Sequence, residues 1–412
     1  MGRFLYIFNA FYPVNPGETF LANEIEYFRG FDKIFIFPLF ADDGKKKFDY
    51  KSSIQKNIEI VRIGEYSNKN KIESILKAGV QRELYREYLA LIKSQRANWH
   101  NIKKATKFVA HCIFFADVIC KHVEKNIKSD DDVILYSYWM NHDAYVASIV
   151  KNRMNNKPFM LTRGHRVDIY EYADENYIPM RNAIIDKSDL LCPISDDGKK
   201  YLMDSYNVSE NKILVQRLGT VDHGTNISVK GNVFQIVSCS WMRKVKRLDM
   251  LIDALSMADF PIEWTHYGDG EEFEYITKKA NELKSDYVNF RFMGSTPNEK
   301  VLEALKTQHF DAFINVSSSE GIPVSIMEAM SFGKPIIATD VGGSREIVYN
   351  GVNGYLLRAD CDATEIFGAI KNLYSLDDGN YEQMAKESRA TWEKLCCGEK
   401  NYKTFCRILE VK

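Results

Sequence analysis

Two acidic residues, Glu320 and Glu328, stand on either side of a predicted helix start, with seven residues between them. Side chains of a helix lean toward its N-terminus, so the carboxylate of Glu328 should approach the loop that carries Glu320. Carboxylates repel phosphate but accept hydrogen bonds from hydroxyls. The pair therefore predicts a ligand with hydroxyls on both sides of a phosphate, as in a nucleotide sugar. The alternative is that both are ordinary surface acids of a helix.

The helix between them is predicted from Pro323 to Phe332. Proline suits a first helical position, and Gly333 followed by Pro335 is a stop signal. Backbone N–H groups at a helix start have no acceptor within the helix and bind phosphate well. Proline has no N–H. The candidate donor-binding residues are therefore Gly321, Ile322, Val324 and Ser325.

Two apolar runs position this loop and helix. Residues Phe310 to Val316 and Pro335 to Thr339 are short and β-favouring, as in buried strands of a parallel sheet. A strand, helix and strand in this order form a right-handed crossover, and ligands of such sheets bind at the carboxyl ends of the strands. The serines and glutamate of residues 317–320 lie at that end.

A basic cluster follows another predicted strand, Phe234 to Ser240, and precedes a helix near Asp249. It contains Arg243, Lys244, Lys246 and Arg247. Cations beside a helix start can stabilise a departing diphosphate. The cluster is therefore a candidate site for a diphosphate.

The stretch EGIPVSIMEAMSFGKPIIATDVGG, residues 320–343, resembles the motif of retaining glycosyltransferases of family 4, and the similarity continues to Leu357. The resemblance implies an α/β GT-B fold, with two Rossmann-like domains facing a central cleft. It implies that Glu320 contacts hydroxyls of the donor sugar and that Glu328 binds the ribose. Lys246 matches the family's lysine.

Two further positions in this half of the chain bear on the resemblance. Trp241 stands where the family has an arginine, which makes Arg243 the candidate replacement. The backbone beyond the strand Val288 to Met293 reads the nucleotide base in the family, so Met293 is a candidate donor-binding residue.

Apolar runs in the N-terminal half predict a first strand from Arg3 to Asn9 and a further strand from Ile213 to Gln216. The run from Phe108 to Cys120 predicts a core helix, with an interfacial helix as the alternative.

In the N-terminal half, YPVNPGETFLANEI resembles the family's glycine loop, which faces the donor phosphates, and Gly17 lets a backbone approach closely. A plain strand-to-helix turn is the alternative. His165 and Asp168 match a His-x-x-Asp pattern of capsule and exopolysaccharide members, in which the histidine lies beside the donor sugar. A lone histidine near a strand end is otherwise more often structural.

A chain of 412 residues predicts two domains. We expect an N-terminal domain over 1–218, a glycine-rich linker over 219–231, a nucleotide-sugar domain over 232–385 and terminal helices over 386–412, the last packing back on the first domain. No run of ~18 apolar residues predicts a membrane span. Eight cysteines without a C-x-x-C pair indicate reduced thiols, and no spacing indicates a metal site. A cytoplasmic protein, peripheral on the inner face of the cell membrane, is expected.

The segment Lys51 to Lys107 holds 13 basic and 5 acidic residues, so its net charge is +8. Such a surface suits anionic lipid or a phosphate-bearing acceptor. A solvated helical face is the alternative.

The expected activity is transfer of a hexose, with retention, from a UDP-sugar or GDP-sugar to a glycan or lipid-linked acceptor in cell-surface polysaccharide or glycoconjugate synthesis. Neither a cofactor nor a metal is expected, and nucleic acid is not an expected partner. YGDG at residues 267–270 lacks the third glycine of a dinucleotide loop. The alternatives are a nucleotide-sugar epimerase or sugar phosphorylase on the same fold, or a non-catalytic partner of another transferase.

Overall fold

The computed structural model of the protein describes residues 1–13, 18–41, 56–173, 177–227 and 229–411. The chain forms two compact units. Unit 1 contains residues 1–216 and 402–412, and unit 2 contains residues 217–401. Each unit is built around one six-stranded sheet.

The sheet of unit 1 is parallel throughout, in the order β3-β2-β1-β4-β5-β6. Its strands are β1 (Arg3–Asn9), β2 (Lys33–Pro38), β3 (Ile58–Ile60), β4 (Asp132–Ser137), β5 (Phe159–Gly164) and β6 (Leu190–Pro193). The central strands are apolar runs that are buried along most of their length, as expected for a parallel sheet covered on both faces.

The helices of unit 1 cover its sheet. They are α1 (Thr19–Ile25), α2 (Asn68–Ala78), α3 (Arg82–Lys93), α4 (Trp99–Asn126), α5 (His142–Arg153), α6 (Arg166–Ile169), α7 (Arg181–Lys187) and α8 (Asp196–Tyr206). Helix α4 buries the run predicted as a core helix, including Phe108, Val109 and Cys112. Asn98 caps it, because its side chain accepts a hydrogen bond from the N–H of Asn101.

Unit 2 has the order β12-β11-β10-β7-β8-β9, again all parallel. Its strands are β7 (Phe234–Cys239), β8 (Ile262–Tyr267), β9 (Val288–Phe292), β10 (Ala312–Asn315), β11 (Ile336–Thr339) and β12 (Gly354–Leu357). Its helices are α9 (Leu248–Leu255), α10 (Phe273–Glu282), α11 (Asn298–Thr307), α12 (Val324–Ser331), α13 (Ala363–Tyr374) and α14 (Asp378–Leu395). The last helix, α15 (Gly398–Val411), begins in unit 2 and enters unit 1 at Tyr402.

Both units have the strand order of a Rossmann fold, in which the chain reverses direction across the sheet between its first and fourth strands. The prediction of two Rossmann-like domains is confirmed. One predicted strand, residues 213–216, lies beside β6 but is not one of the six strands of the sheet. It forms a bridge between Ile213 and Leu191, and two of its backbone N–H groups donate to carbonyls of β6. Among the described helices, none is both long and apolar enough to cross a membrane.

The described residues of 219–231 lie along unit 2. Thr220 is buried and accepts a hydrogen bond from the indole of Trp392. The side-chain amide of Asn226 donates to two backbone carbonyls at the end of α11. The backbone carbonyl of Asn226 accepts a hydrogen bond from the amine of Lys334.

Candidate active site

Lys246 and Glu320 meet at the point where the strand order of unit 2 reverses. Lys246 follows β7 and Glu320 follows β10, and these strands are neighbours. The Nζ atom of Lys246 donates to Oε1 of Glu320 over 2.7 Å. Their side chains are only 21% and 11% exposed. This crevice is where open α/β sheets bind ligands, so the structure brings two of the predicted site residues together at the expected place.

Backbone contacts fix the loop on each side of this pair. The guanidinium of Arg247 donates to the carbonyl oxygens of Val316, Ser317 and Ala359. In the same loop the N–H of Ser318 donates to the carbonyl of Val245 over 2.8 Å. Arg247 therefore stabilises the loop through hydrogen bonds, although its place in the basic cluster is equally typical of a solvated charge.

Two glycines after β11 allow a third loop to press against Glu320. At Gly342, whose φ is +52°, a Cβ would lie 2.0 Å from the carbonyl oxygen of Glu320. At Gly343 a Cβ would lie 2.4 Å from the side chain of Ile322. The backbone N–H of Gly343 donates to the carbonyl of Gly321 over 2.7 Å. Side chains at either position would displace the loop that carries Glu320.

Glu328 lies on α12, one helical turn from its start, and is buried. Burial raises the pKa of its carboxyl, and a 3.0 Å hydrogen bond from the side-chain amide of Asn298 opposes that rise. Burial also raises the pKa of the Cys239 thiol, at the end of β7, to about 12, and the charge of Glu328 adds to the effect. Glu328 thus acts electrostatically on the carboxyl end of β7, and the approach of its carboxylate to the loop of Glu320 stays a prediction.

The start of α12 supplies the predicted N–H groups, since the helix begins at Val324 with Pro323 as its cap. Ile322 is buried, while Val324 and Ser325 are partly exposed at the first turn. In an α-helix, N–H groups in this turn have no intrahelical acceptor. Gly321 lies in the loop before them. These donors and the amine of Lys246 provide positive charge at one edge of the sheet.

Three other residues of interest lie in unit 2 outside the Lys246–Glu320 contact. The guanidinium of Arg243 is 63% exposed and lies 4.0 Å from Glu271. Trp241 is 66% exposed, so its indole does not fill the space beside Lys246 as a packed side chain would. Met293 follows β9 at the same edge of the sheet, and its N–H donates to the carbonyl of His266.

In unit 1, His165 follows β5 and is buried against the rings of Tyr138 and Trp139, with centroids 4.8 Å and 4.4 Å away. The backbone N–H of His165 donates to Oδ1 of Asp168 over 2.5 Å. The other carboxylate oxygen of Asp168 accepts from the N–H of Met140. Both ring nitrogens of His165 are buried without a hydrogen-bond partner among the described residues.

The loop after β1 folds around the carboxylate of Glu18, which the sequence had not singled out. Consecutive backbone N–H groups of residues 10–12 donate to it, as do the side chains of Asn9 and Trp139. Glu18 thereby ties the carboxyl ends of β1 and β4 together, at the reversal point of the unit 1 sheet. Gly17, the predicted phosphate-loop glycine, lies outside the described residues.

The residues that hydrogen-bond the two glutamates of the site could not be identified from the sequence. Asn298 is 30 residues from Glu328, and Asn315, whose amide lies 3.3 Å from Oε1 of Glu320, belongs to an apolar strand. Only the paired glycines at 342 and 343 gave a signal, because adjacent glycines after a strand indicate a close backbone approach. Among the described residues, no group of three or more His, Cys, Asp or Glu side chains is placed to hold a metal ion.

Residues 226–391 match the family model described as glycosyl transferases group 1. A relative, the UDP-N-acetylglucosamine--peptide N-acetylglucosaminyltransferase GtfA subunit of Streptococcus pneumoniae serotype 4, is 27% identical over 208 residues. That match spans 48% of this chain and 40% of the relative. The amylovoran biosynthesis glycosyltransferase AmsK of Erwinia amylovora is 27% identical over 181 residues, 41% of this chain and 44% of AmsK. The chain thus matches less than half of each relative's length.

A solved structure, the apo form of the lipopolysaccharide outer core galactosyltransferase WaaB, superimposes with a TM-score of 0.69. It is 17% identical, and the alignment covers 99% of both chains. At this identity the likeness establishes the fold, which is GT-B with two Rossmann-like domains. Together with the family match over residues 226–391, the comparisons support a group 1 glycosyltransferase with the GT-B fold.

Proposed function

We propose that this protein is a retaining glycosyltransferase that moves a hexose from a nucleoside diphosphate sugar to a hydroxyl of a glycan or lipid-linked acceptor. The observation that carries the proposal is the contact between Lys246 and Glu320 at the reversal point of the unit 2 sheet, beside the start of α12. The names of the relatives, which include polysaccharide synthesis, support cell-surface polysaccharide or glycoconjugate synthesis as the setting.

The chemistry divides among the named groups. The amine of Lys246 and the N–H groups of α12 stabilise the negative charge of the departing diphosphate. Glu320 accepts hydrogen bonds from the donor sugar, and Glu328 accepts them from the ribose. The phosphate charge is balanced by these protein groups, which is why we propose transfer without a metal. Arg243 adds a peripheral cation, and Met293 provides backbone next to the base.

Unit 1 contributes His165 to the proposed function. Its two ring nitrogens make no hydrogen bond to a described residue, although Nδ1 lies 3.9 Å from Oδ2 of Asp168. Each nitrogen can therefore form a hydrogen bond with a sugar hydroxyl. The rings of Tyr138 and Trp139 hold the imidazole in place, and the carboxylate of Asp168 fixes the backbone by accepting from the main-chain N–H of His165. We assign it a role beside the donor sugar.

The direct test begins with a thermal-shift screen of UDP- and GDP-sugars. A donor at ~100 times its dissociation constant adds about 2.7 kcal/mol to the free energy of unfolding. For a unit of this size that is a rise of roughly 5–10 °C in Tm. The stabilising donor is then incubated with acceptors, and free nucleotide and the anomeric configuration of the product are measured.

Nucleotide release that requires an acceptor, with an unchanged anomeric configuration, supports the proposal. Formation of a sugar 1-phosphate from a glycan and free phosphate, without a nucleotide, would indicate a phosphorylase, and a changed sugar still bound to nucleotide would indicate an epimerase. Glu320→Gln is the matched control, because it keeps the shape of the site and should lower transfer strongly. Donor binding without transfer to any acceptor would contradict the proposal.

A further inference from the structure

The outer faces of two helices in unit 1 are apolar where solvent contact would favour polar residues. On α2, the exposed apolar residues Ile72, Ile75 and Leu76 are spaced as one helical stripe, which Val80 extends beyond the helix end. The buried residues of α2, Ser74 and Ala78, lie on the opposite side. The stripe is therefore not the face by which α2 packs.

Helix α3 repeats the pattern. Tyr85, Leu89 and Ile92 are exposed and form one stripe, while Leu84 and Leu91 are buried on the other side. Trp99, the first residue of α4, is 77% exposed. These eight residues, Ile72, Ile75, Leu76, Val80, Tyr85, Leu89, Ile92 and Trp99, are called the apolar face below, and each is between 48% and 79% exposed.

The two stripes belong to one surface because both helices rest on α4. Lys77 of α2 donates to Asp117 of α4 over 2.7 Å, and the hydroxyls of Tyr88 and Thr106 join α3 to α4 over 2.7 Å. Only residues 79–81 connect α2 to α3. With their inner faces on the same helix, α2 and α3 both present their stripes away from it.

Cations border the apolar face. Lys69, Arg82, Arg86, Lys93, Lys103 and Lys107 are all exposed on the same three helices. Three acids lie on the same helix segments and do not balance the six cations. Glu87 is buried and bonded to the Tyr177 hydroxyl, Glu73 is paired with Lys77, and Glu83 is half-buried in the first turn of α3. The surface is therefore strongly basic as well as apolar.

This combination fits a bilayer better than a protein partner. Apolar side chains with tyrosine and tryptophan, flanked by lysine and arginine, are the composition of surfaces that lie in a membrane interface. Lysine is depleted from the cores of protein interfaces, whereas its long stem can extend along lipid while the amine reaches a phosphate. A cluster of six exposed cations selects anionic lipid.

We propose that the apolar face and its six cations form a docking surface for an anionic bilayer, with the apolar residues inserted among the head groups. The bilayer surface binds unit 1 whether or not a sugar is transferred, so this inference does not depend on the proposed function. It assigns the basic segment predicted from the sequence to particular helices, although residues 51–55 of that segment lie outside the described residues.

The test is flotation of the full-length protein with phosphatidylcholine vesicles, with and without phosphatidylglycerol, and without any nucleotide sugar. The wild type should bind only the anionic vesicles, and binding should weaken with salt because exposed charges are screened. Each Lys or Arg near the surface is worth about fivefold in the binding constant. Changing Arg82, Arg86 and Lys93 together to Gln should therefore weaken binding by roughly tenfold to a hundredfold.

The apolar contribution is measured separately by changing Leu76, Leu89 and Ile92 together to Ser. These side chains are already exposed, so the fold should survive, and vesicle binding should fall by on the order of tenfold or more. Two matched controls lie in unit 2. Changing Lys284, Lys300 and Lys306 to Gln alters net charge equally. Changing Met257, Tyr275 and Val352 to Ser removes three exposed apolar side chains outside the apolar face. Both controls should bind like the wild type.

Three results would overturn the proposal. One is a wild-type protein that does not float with anionic vesicles. Another is an equal loss of vesicle binding in the variants of this surface and in the unit 2 controls, which would mean that the position of the residues does not matter. The third is a wild-type dimer in light scattering that the Ser variant dissociates, combined with absent vesicle binding. That outcome would assign the apolar face to a second copy of the chain. The nucleotide-release assay is independent of all three.

Discussion

Replacing Lys246 by methionine removes the amine at the centre of the candidate site while keeping most of the side chain's volume. A hydrogen bond between charged groups is worth about 1.5–3 kcal/mol, which corresponds to roughly tenfold to 150-fold in kcat/KM at about 1.4 kcal/mol per tenfold. If Lys246 contacts the diphosphate mainly as charge develops in the transition state, most of that loss should appear in kcat. Steady-state kinetics with the donor found in the screen measures it.

The same change also breaks the ion pair with Glu320, so its stability effect must be separated from its kinetic effect. Both side chains keep some solvent contact, at 21% and 11%, which makes the cost smaller than for a fully buried pair. The double variant Lys246→Met/Glu320→Gln restores neutrality at the site. If the lysine acts only by holding Glu320, the double variant should be no worse than Glu320→Gln alone. Equality of those two variants would refute a direct contact between Lys246 and phosphate.

The neighbouring basic residues supply the comparison series. Lys244→Met should change kcat/KM less than twofold, because an exposed charge contributes little. Arg247→Met should lower Tm, since it removes hydrogen bonds to three carbonyls that hold the loop. Arg243→Met should cost up to about tenfold, because its guanidinium is mostly exposed. Four equal and weak effects would mean that the cluster is only a solvated surface.

Two further predictions separate binding from chemistry and test the buried groups. Glu328→Gln should raise the donor KM and leave kcat nearly intact, whereas Glu320→Gln should lower kcat, and identical kinetic profiles would contradict the assigned roles. Burial lowers the pKa of His266 to about 4, below the ~6.5 of an unfolded chain, so the unfolded state binds the extra proton between these values. His266 should therefore contribute a fall of about 2–3 kcal/mol in the free energy of unfolding on going from pH 7 to 4.5. Urea unfolding of His266→Asn should show a flatter pH dependence, and an unchanged slope would refute the assignment.

Local signals account for the elements that the sequence predicted well. The strand β1 was predicted with its observed bounds, and α12 was predicted within one residue at each end. Apolar runs specify such elements, and proline and glycine mark their ends, through interactions that extend over only a few residues. The segment 213–216 was predicted as a strand as well, but it forms only one bridge and two backbone hydrogen bonds to β6 and does not become a strand of the sheet. Pairing with a neighbouring strand decides that outcome, and a local pattern does not contain the neighbour.

The same limit applies to the site. The chemistry of Lys246 and of Glu320 could be predicted separately, but their contact spans 74 residues and depends on β7 lying beside β10. The apolar face was invisible for a different reason. Ile72 and Leu76 on α2, like Tyr85 and Leu89 on α3, have the spacing of a buried helix face, and only their observed exposure distinguishes them from core residues.

The geometry of the Lys246–Glu320 pair bears on how one lysine could serve where the resemblance expects a lysine and an arginine. Both described contacts of the Glu320 carboxylate, from Lys246 and from Asn315, use Oε1. Oε2 is then the oxygen that can accept from a sugar hydroxyl, and the lysine amine, with three N–H donors, can bind Oε1 and a phosphate oxygen together. The pair therefore need not separate when a donor binds. Under the proposed function the pair acts as one oriented unit, with the ammonium group toward the phosphate and the carboxylate toward the sugar hydroxyls. In any nucleotide sugar the anomeric carbon joins the phosphate to the sugar ring, so it would lie between the ammonium group and the carboxylate.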